Sequence, residues 1–174
     1  RTLQALLHLP DQLPVSVSVS VLGYELGEPT HMVLRGGSDV GFRLGDAVVT
    51  PHGILVGSLI AVHKTTAVVR TIFDPHAKFS GAILGNTAPV SGVLEGVHGV
   101  GVHLTLIPRQ DPVHEGDTVV TAGDEIGIPR GIPVGTVATL EEAPGIPLQE
   151  AILTPLFDFH DLTMVAVLIS EHTN

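Results

Sequence analysis

The chain has 174 residues, of which 44% are hydrophobic, so it contains enough apolar material for one domain or two small ones. Only 3% of the residues are aromatic and the net charge is −10, which excludes the stacking platforms and basic surfaces that bind nucleic acid. The absence of cysteine excludes disulfides and thiolate metal sites, and no apolar run reaches the roughly 18 residues of a membrane-spanning helix.

The first nine residues have the pattern of a helix. Leu3, Leu6 and Leu7 fall on one helical face, and two prolines at positions 10 and 14 would end the helix. Two interpretations fit: a short terminal helix, or the last turns of a coiled coil in which these leucines form a dimer contact. Because the chain begins at Arg1 rather than at methionine, we also expect that a leader or an anchoring segment has been removed. Residues 1–14 are predicted to be the end of the helix and a linker.

From residue 15 onward the sequence has the pattern of short strands. Residues 15–21 alternate strictly between valine and serine, which is the period of a half-buried strand. Further apolar runs rich in β-branched residues predict strands at 31–34, 47–50, 54–62, 66–72, 81–84, 99–107, 117–121, 132–140, 148–153 and 163–169. Twenty glycines and thirteen prolines punctuate the gaps. The predicted fold is all-β, in compact barrels or sandwiches that protect the strand edges.

An internal repeat indicates two related β units. The hexapeptide Gly-Asp-Ala-Val-Val-Thr at 45–50 recurs as Gly-Asp-Thr-Val-Val-Thr at 116–121, and each copy is followed by Gly-Ile-x-Val-Gly. The motif predicts a tight turn that leads into a strand, and then a bend in the next strand where a side chain would clash. The residues assigned these structural roles are Gly45, Asp46, Gly53 and Gly57 in the first copy and Gly116, Asp117, Gly131 and Gly135 in the second.

The charge distribution suggests where the two units divide. Residues 1–110 carry seven acidic and seven basic side chains, whereas residues 111–174 carry eleven acidic side chains and a single arginine. We therefore predict a first β-barrel unit over 15–110 and a second over 111–174, meeting between residues 85 and 115, with strands possibly exchanged between them.

Metal ligands and catalytic groups do not form a recognisable pattern. The nearest set of possible ligands is His98, His103 and His114 with Asp111, but their spacing does not match a known metal motif, and scattered surface histidines are the favoured interpretation. We expect no metal and no cofactor.

Serine and carboxylate chemistry is equally weakly supported. Ser58, Ser80 and Ser91 each lie next to a glycine without forming a nucleophile elbow. The acidic pairs Asp124-Glu125 and Glu141-Glu142 have the character of solvated loop charges rather than of a general acid and base. The protein is therefore predicted not to be an enzyme, with a barrel-type hydrolase as the less favoured alternative.

Several motifs between residues 21 and 169 fit one known family pattern. They include both Gly-Asp motifs, Asp74 after a β-branched strand, and Gly-Val-Leu-Glu-Gly at 92–96. The more specific motifs are Ile-Pro-Arg-Gly-Ile-Pro-Val-Gly at 128–135 and, near the end of the chain, Thr-Pro-Leu-Phe-Asp-Phe at 154–159 and Met-Val-Ala-Val-Leu at 164–168. In these motifs the chain resembles the MreC family of rod shape-determining proteins. The sequence departs from the family pattern at Ala122, at 124–126 and at Ser58.

The resemblance implies a non-enzymatic scaffold of the cell elongation machinery. It implies two β-barrel subdomains outside the bacterial inner membrane, a missing membrane anchor, and a homodimer or filament. The implied partners are a class B penicillin-binding transpeptidase, MreD and, indirectly, MreB. From the neutral charge of 1–110 we further expect the first unit to contact the transpeptidase through Phe73, Phe79 and Leu84. A periplasmic adaptor of an export system is the alternative of the same class.

Overall fold

The computed structural model describes residues 15–85, 90–142 and 144–169, which form twelve β-strands and two short 3-10 helices. The strands are β1 Val15–Glu25, β2 Glu28–Arg35, β3 Ala47–Val49, β4 Leu55–Val62, β5 Thr66–Thr71, β6 Lys78–Ile83, β7 Ser91–Val97, β8 Gly101–Pro108, β9 Thr118–Thr121, β10 Pro133–Glu142, β11 Leu148–Pro155 and β12 Met164–Ile169. The 3-10 helices are Ser38–Val40 and Phe159–Asp161. The all-β prediction is confirmed. The predicted helix with Leu3, Leu6 and Leu7 lies outside the described residues. None of the described helices has the length and apolarity needed to cross a membrane.

The sequence pattern found eleven of these strands and missed β7. Residues 92–96, which entered the sequence analysis only as a motif of the family resemblance, lie within a regular strand that pairs with β6 and β8. The glycines are needed because neighbouring backbone lies very close: a Cβ at Gly92 would lie 2.4 Å from the carbonyl oxygen of Thr105. Glycine inside a strand marks a close approach here, not the end of the strand.

The twelve strands form two closed six-stranded barrels. The first barrel has the order β1-β12-β3-β4-β5-β2, and the second has the order β10-β11-β8-β7-β6-β9. All neighbouring pairs are antiparallel. Closure of both sheets removes exposed strand edges, which agrees with the predicted barrel architecture.

The boundary between the barrels differs from the predicted one. The first barrel consists of residues 15–71 together with 164–169, and the second of residues 78–155. The predicted division after residue 110 is therefore wrong, because β6, β7 and β8 belong to the second barrel. The charge contrast survives the correction: the first barrel has four acidic and four basic side chains, whereas the second has nine acidic and three basic ones.

A single, mainly aliphatic core runs through both barrels. Its largest fully buried side chains include Met32, Leu34 and Leu59 in the first barrel and Leu94 and Leu104 in the second. Interiors of this kind leave little room for added volume, because side chains are packed as densely as in an organic crystal. Because one core cluster contains residues of both barrels, the barrels are packed against each other. Their junction is the place to look for a functional site.

Candidate functional site at the junction of the barrels

The two Gly-Asp motifs form the same turn. Gly45 and Gly116 both have φ of 88°, a conformation that glycine adopts without strain. The Asp46 carboxylate accepts a hydrogen bond from the N–H of Arg43 at 3.0 Å, and the Asp117 carboxylate accepts one from the N–H of His114 at 2.8 Å. Each aspartate also donates its own N–H to the carbonyl of that same residue three positions earlier. Both aspartates are thus turn residues in this fold, as predicted.

The second half of the repeat is equally well matched. Thr50 N–H donates to the carbonyl of Ile54, and Ile54 N–H donates to the Thr50 hydroxyl. Thr121 and Ile132 make the same two bonds across a longer loop. The glycine before each isoleucine, Gly53 or Gly131, has a positive φ of 85° or 93° and donates its N–H to the threonine carbonyl. The sequence repeat therefore corresponds to a repeated hydrogen-bonding pattern.

Gly57 and Gly135 occupy equivalent positions where another strand crosses closely. Gly57 is paired with Val48, and Gly135 with Val119. Neither has a positive φ; instead, a Cβ at Gly57 would lie 2.0 Å from the carbonyl oxygen of Arg70, and one at Gly135 would lie 2.8 Å from that of Thr154. Both glycines provide room for a neighbouring backbone.

One of the two turns is covered by the opposite barrel. Asp46 is 1% exposed, whereas the side chain of Asp117 is 27% exposed. The covering loop belongs to the second barrel, and its Gly127 carbonyl accepts a hydrogen bond from the N–H of Ala47 at 3.2 Å. The first Gly-Asp turn is thus part of the contact between the barrels.

The chain first passes from one barrel to the other through residues 72–77, which we call the junction segment. Its Asp74 is 2% exposed. The Thr30 hydroxyl donates to Asp74 Oδ2 at 2.6 Å, His31 Nε2 lies 2.9 Å from the same oxygen, and the N–H of His76 donates to Oδ1 at 2.7 Å. The second barrel packs directly on this segment, since a Cβ at Gly96 in β7 would lie 2.3 Å from the Asp74 carbonyl oxygen.

The surroundings of Asp74 favour its charged form. Burial alone would raise the pKa of Asp74, but the hydrogen bonds from Thr30 and from the main chain of His76, with smaller contributions from the His31 and His76 side chains, hold the pKa below its ordinary value. Asp74 is therefore a buried anion that fastens β2 to the junction segment. The sequence resemblance singled out Asp74, whereas Thr30 and His31 carried no signal because their partner lies more than forty positions away.

Aromatic side chains concentrate at the same junction. The ring centroid of Phe73 lies 5.7 Å from those of Phe157 and Phe159, and Tyr24 lies 5.1 Å from Phe159. The Tyr24 hydroxyl donates to the Phe159 carbonyl at 3.3 Å. Burial and the nearby Asp158 carboxylate raise the pKa of Tyr24, so its phenol stays neutral. Four of the six aromatic residues of the chain thus hold the return segment, residues 156–163, against the junction.

An open cleft of about 540 Å³ lies beside this aromatic cluster. It is lined by the β7–β8 turn and by the return segment, and its accessible apolar side chains include Val100, which is 80% exposed, and Leu156, which is 42% exposed. The rim carries Asp158 and His160. A mainly apolar cleft with a few polar groups at its edge is the usual anatomy of a protein contact surface.

Two of the three residues predicted to contact a partner are buried, and the third is exposed. Phe73 is 4% exposed and Phe79 is 6% exposed, so both belong to the core and the expectation that they present apolar surface is wrong. The prediction failed because net charge does not tell which side chains face inward: Phe73 packs against Phe157 and Phe159, and Phe79 is on the inward face of β6. Leu84 is 39% exposed and remains accessible.

The histidine set weighed in the sequence does not form a cluster. His103 pairs with Glu150 across β8 and β11, and His114 Nδ1 lies 3.9 Å from Asp117. Across the described residues, the one group of three or more histidine and carboxylate side chains with ligand atoms close enough for a metal is Glu28, His31 and Asp74, within 4.8 Å of one another. Within the same ranges, Ser58, Ser80 and Ser91 make no hydroxyl hydrogen bond to a histidine.

Comparison with known proteins identifies relatives of this chain. A family model described as the barrel core of the rod shape-determining protein MreC matches residues 27–169. The cell shape-determining protein MreC of Caulobacter vibrioides is 31% identical over 99 residues, which cover 57% of this chain and 28% of that protein, so the matched portion is under a third of this relative.

Solved structures agree on the architecture. MreC from Listeria monocytogenes aligns with a TM-score of 0.81 at 24% identity, covering 99% of this chain and 86% of that one. A complex between the penicillin-binding protein PBP2 and MreC from Helicobacter pylori contains a chain that aligns with a TM-score of 0.71 at 15% identity, covering 91% of this chain and 100% of that one. At these identities the two structures establish a shared two-barrel fold.

Proposed function

The chain belongs to the MreC family of rod shape-determining proteins, and we propose that it is a non-enzymatic scaffold that binds and organises peptidoglycan synthases at the bacterial inner membrane. In this role the two barrels are a rigid platform, and the chemistry is performed by the bound enzyme. The partner that we assign to it is a class B penicillin-binding transpeptidase.

The observation that carries this proposal is the apolar cleft at the junction of the barrels. Val100 and Leu156 are accessible there, and the aromatic cluster behind them holds the return segment in place. A preorganised apolar surface binds a partner with little ordering cost. A relative with the same fold was solved in complex with PBP2, which supports a transpeptidase as the occupant of a surface on this chain.

The charge contrast supports an orientation for the scaffold. The second barrel has a net charge of −6 and the first barrel is neutral. Anionic lipid headgroups repel an acidic surface over about 8–10 Å in physiological salt, so we place the first barrel on the membrane side and the second outward. The first barrel and the junction, together with the β7–β8 turn of the second barrel that lines the cleft, then supply the transpeptidase contact, and the rest of the second barrel modulates self-association.

The remaining parts of the assignment extend beyond the described residues. We place the protein on the extracytoplasmic face of the inner membrane, anchored by a segment that precedes this sequence and dimerising through a coiled coil that includes Leu3, Leu6 and Leu7. MreD and, through the membrane, MreB are the further partners of this proposal.

The test is the affinity of the chain for the extracytoplasmic part of the class B transpeptidase from the same organism. We expect Val100→Glu and Leu156→Glu each to weaken binding at least about tenfold, because each places a charge in a desolvated contact. The matched control is Ile146→Glu, which changes a residue of comparable exposure, 49%, in the turn between β10 and β11.

Melting curves must show that all three variants remain folded. Unchanged affinity in both cleft variants would refute the cleft as the contact. Failure of the unmodified chain to bind the transpeptidase at all would refute the partner.

A further inference from the structure

A second open groove, of about 270 Å³, lies on the second barrel and has a mainly apolar lining. It is bounded by β8, by the end of β10 and by the start of β11. β11 begins at Leu148 beside this groove and ends at Pro155 beside the cleft, so about 23 Å separate the two surfaces. Sites for small molecules usually measure about 300–1,000 Å³, so this groove suits one side chain of a protein segment better than a whole small molecule.

Leu106 presents an apolar side chain at the groove from a strained backbone. In β8, Thr105 and Leu106 lie opposite the single residue Glu150 of β11, which makes a β-bulge. Leu106 has φ of 59°, which a bulky residue rarely adopts, and it is 59% exposed. Strained backbone of this kind clusters at binding sites. Ile146, which is 49% exposed in the turn between β10 and β11, adds a second accessible apolar side chain.

The rim of the groove is acidic. Glu141, Glu142 and Glu150 line it, and Glu141 pairs directly with Glu150 across β10 and β11, where like charges repel. Arg109 Nε lies 3.8 Å from Glu142. His103 Nδ1 makes a hydrogen bond with Glu150. In the part of the chain that the structure describes, no ion pair involves Glu141. Negative charge therefore exceeds positive charge at the rim.

We propose that this groove binds a basic segment of a partner protein, in which an aliphatic side chain contacts Leu106 and Ile146 and the flanking Lys or Arg side chains pair with the glutamates. The apolar contact supplies binding energy that exposed ion pairs alone do not give, and the charges select the partner. A cation between Glu141 and Glu150 also offsets their repulsion. Neither barrel of a second copy offers such a segment, because the first is neutral and the second has a net charge of −6. The proposal does not rest on the transpeptidase, because the groove and the cleft are separate surfaces.

The experiment measures binding of capped, labelled peptides to the full chain by fluorescence anisotropy, at low and at high salt. The probe is Lys-Lys-Leu-Lys-Lys, and two matched peptides carry Ser in place of Leu or Glu in place of every Lys. We expect the probe to bind saturably, with one peptide per chain, and to bind more weakly at high salt. The serine peptide should bind at least about fivefold more weakly, and the glutamate peptide should not bind.

Two variants test the groove itself. Leu106→Asn removes the apolar side chain, and asparagine adopts a positive φ more readily than leucine does. It should weaken probe binding at least about fivefold without lowering the melting temperature. Glu141→Gln with Glu150→Gln keeps side-chain size and removes the paired charges, so it should weaken binding at least about tenfold and reduce the salt dependence.

The matched control is Glu115→Gln with Asp124→Asn, which changes two exposed acidic residues of the second barrel that do not line the groove. The net charge changes equally, yet affinity should stay within about twofold. Equal losses in both double variants would show general attraction to an acidic barrel and overturn the proposal. Unchanged affinity in Leu106→Asn, or equal binding of the leucine and serine peptides, would overturn it in favour of a site for small cations.

Oligomeric state tests the remaining occupant. Analytical ultracentrifugation of the chain without peptide would reveal a dimer, and dissociation of that dimer by Leu106→Asn would make a second copy the occupant and overturn the proposal. Absence of probe binding at about millimolar peptide, weaker than contacts of this kind give, would overturn it as well.

Discussion

The two barrels have the same arrangement of six strands, but the strand that closes each barrel comes from a different part of the chain. In the second barrel the six strands are contiguous, from β6 to β11, and β6 pairs with both β7 and β9. In the first barrel the equivalent position, between β1 and β3, is filled by β12. The first barrel is thus a circularly permuted version of the second, and the second is inserted between β5 and β12.

This difference shows that two segments of similar sequence can lie in barrels that depend to different degrees on distant parts of the chain for closure. Both Gly-Asp motifs form the same turn. The motif at 116–121 lies in the second barrel, whose strands are contiguous in the chain, whereas the motif at 45–50 lies in the first barrel, which cannot close until β12 is present. Closing a loop across the whole inserted barrel costs conformational entropy, although the cost grows only slowly with loop length.

Removal of β12 should have the largest effect. A chain that ends at residue 162 loses the partner of both β1 and β3, including the buried Val165 and Val167, so we expect the first barrel to unfold while the second stays folded. Amide hydrogen exchange would then show protection in β9–β11 and none in β2–β5. The control ends at residue 169 and should behave as the full chain does. Equal protection of both barrels after removal of β12 would contradict the permutation.

Alanine substitution of the two glycines that lie against a neighbouring backbone, Gly57 and Gly135, should lower the free energy of unfolding by different amounts in the two barrels. Gly57→Ala places a Cβ 2.0 Å from a backbone oxygen that cannot move without disturbing β5, whereas Gly135→Ala meets one at 2.8 Å. We expect losses of unfolding free energy of about 3 kcal/mol or more for Gly57 and about 1 kcal/mol for Gly135. Urea denaturation measures both. Equal losses would mean that the crossing distances do not determine the cost.

The smallest predicted difference concerns the two turn aspartates. Asp46→Ala removes a carboxylate that accepts from Arg43 N–H under the cover of the second barrel, so the donor loses its partner where water cannot readily replace it. Asp117→Ala removes the same bond at a partly exposed site. We expect losses of about 2 kcal/mol and about 1 kcal/mol or less, respectively. A larger loss for Asp117 in the same urea experiment would show that the junction does not strengthen the first turn.

The sequence was sufficient for features that depend on neighbouring residues. Strand alternation, glycine at the turns and the repeated Gly-Asp motif reflect backbone and side-chain preferences within a few positions, and they predicted the all-β fold, two related units and eleven of the twelve strands. The resemblance carried by these motifs and by Asp74 also led to the correct family.

Tertiary structure alone decided which strands belong together and which side chains meet. Nothing local distinguishes β12 as a strand of the first barrel, or β6 to β8 as strands of the second, because strand pairing is settled by closure of the whole sheet. The same holds for Phe73 and Phe79, whose burial depends on what packs over them. His31, Glu25 and Asp74 come together through the β1–β2 hairpin and the junction segment, and such contacts between distant residues leave no periodic pattern in the sequence.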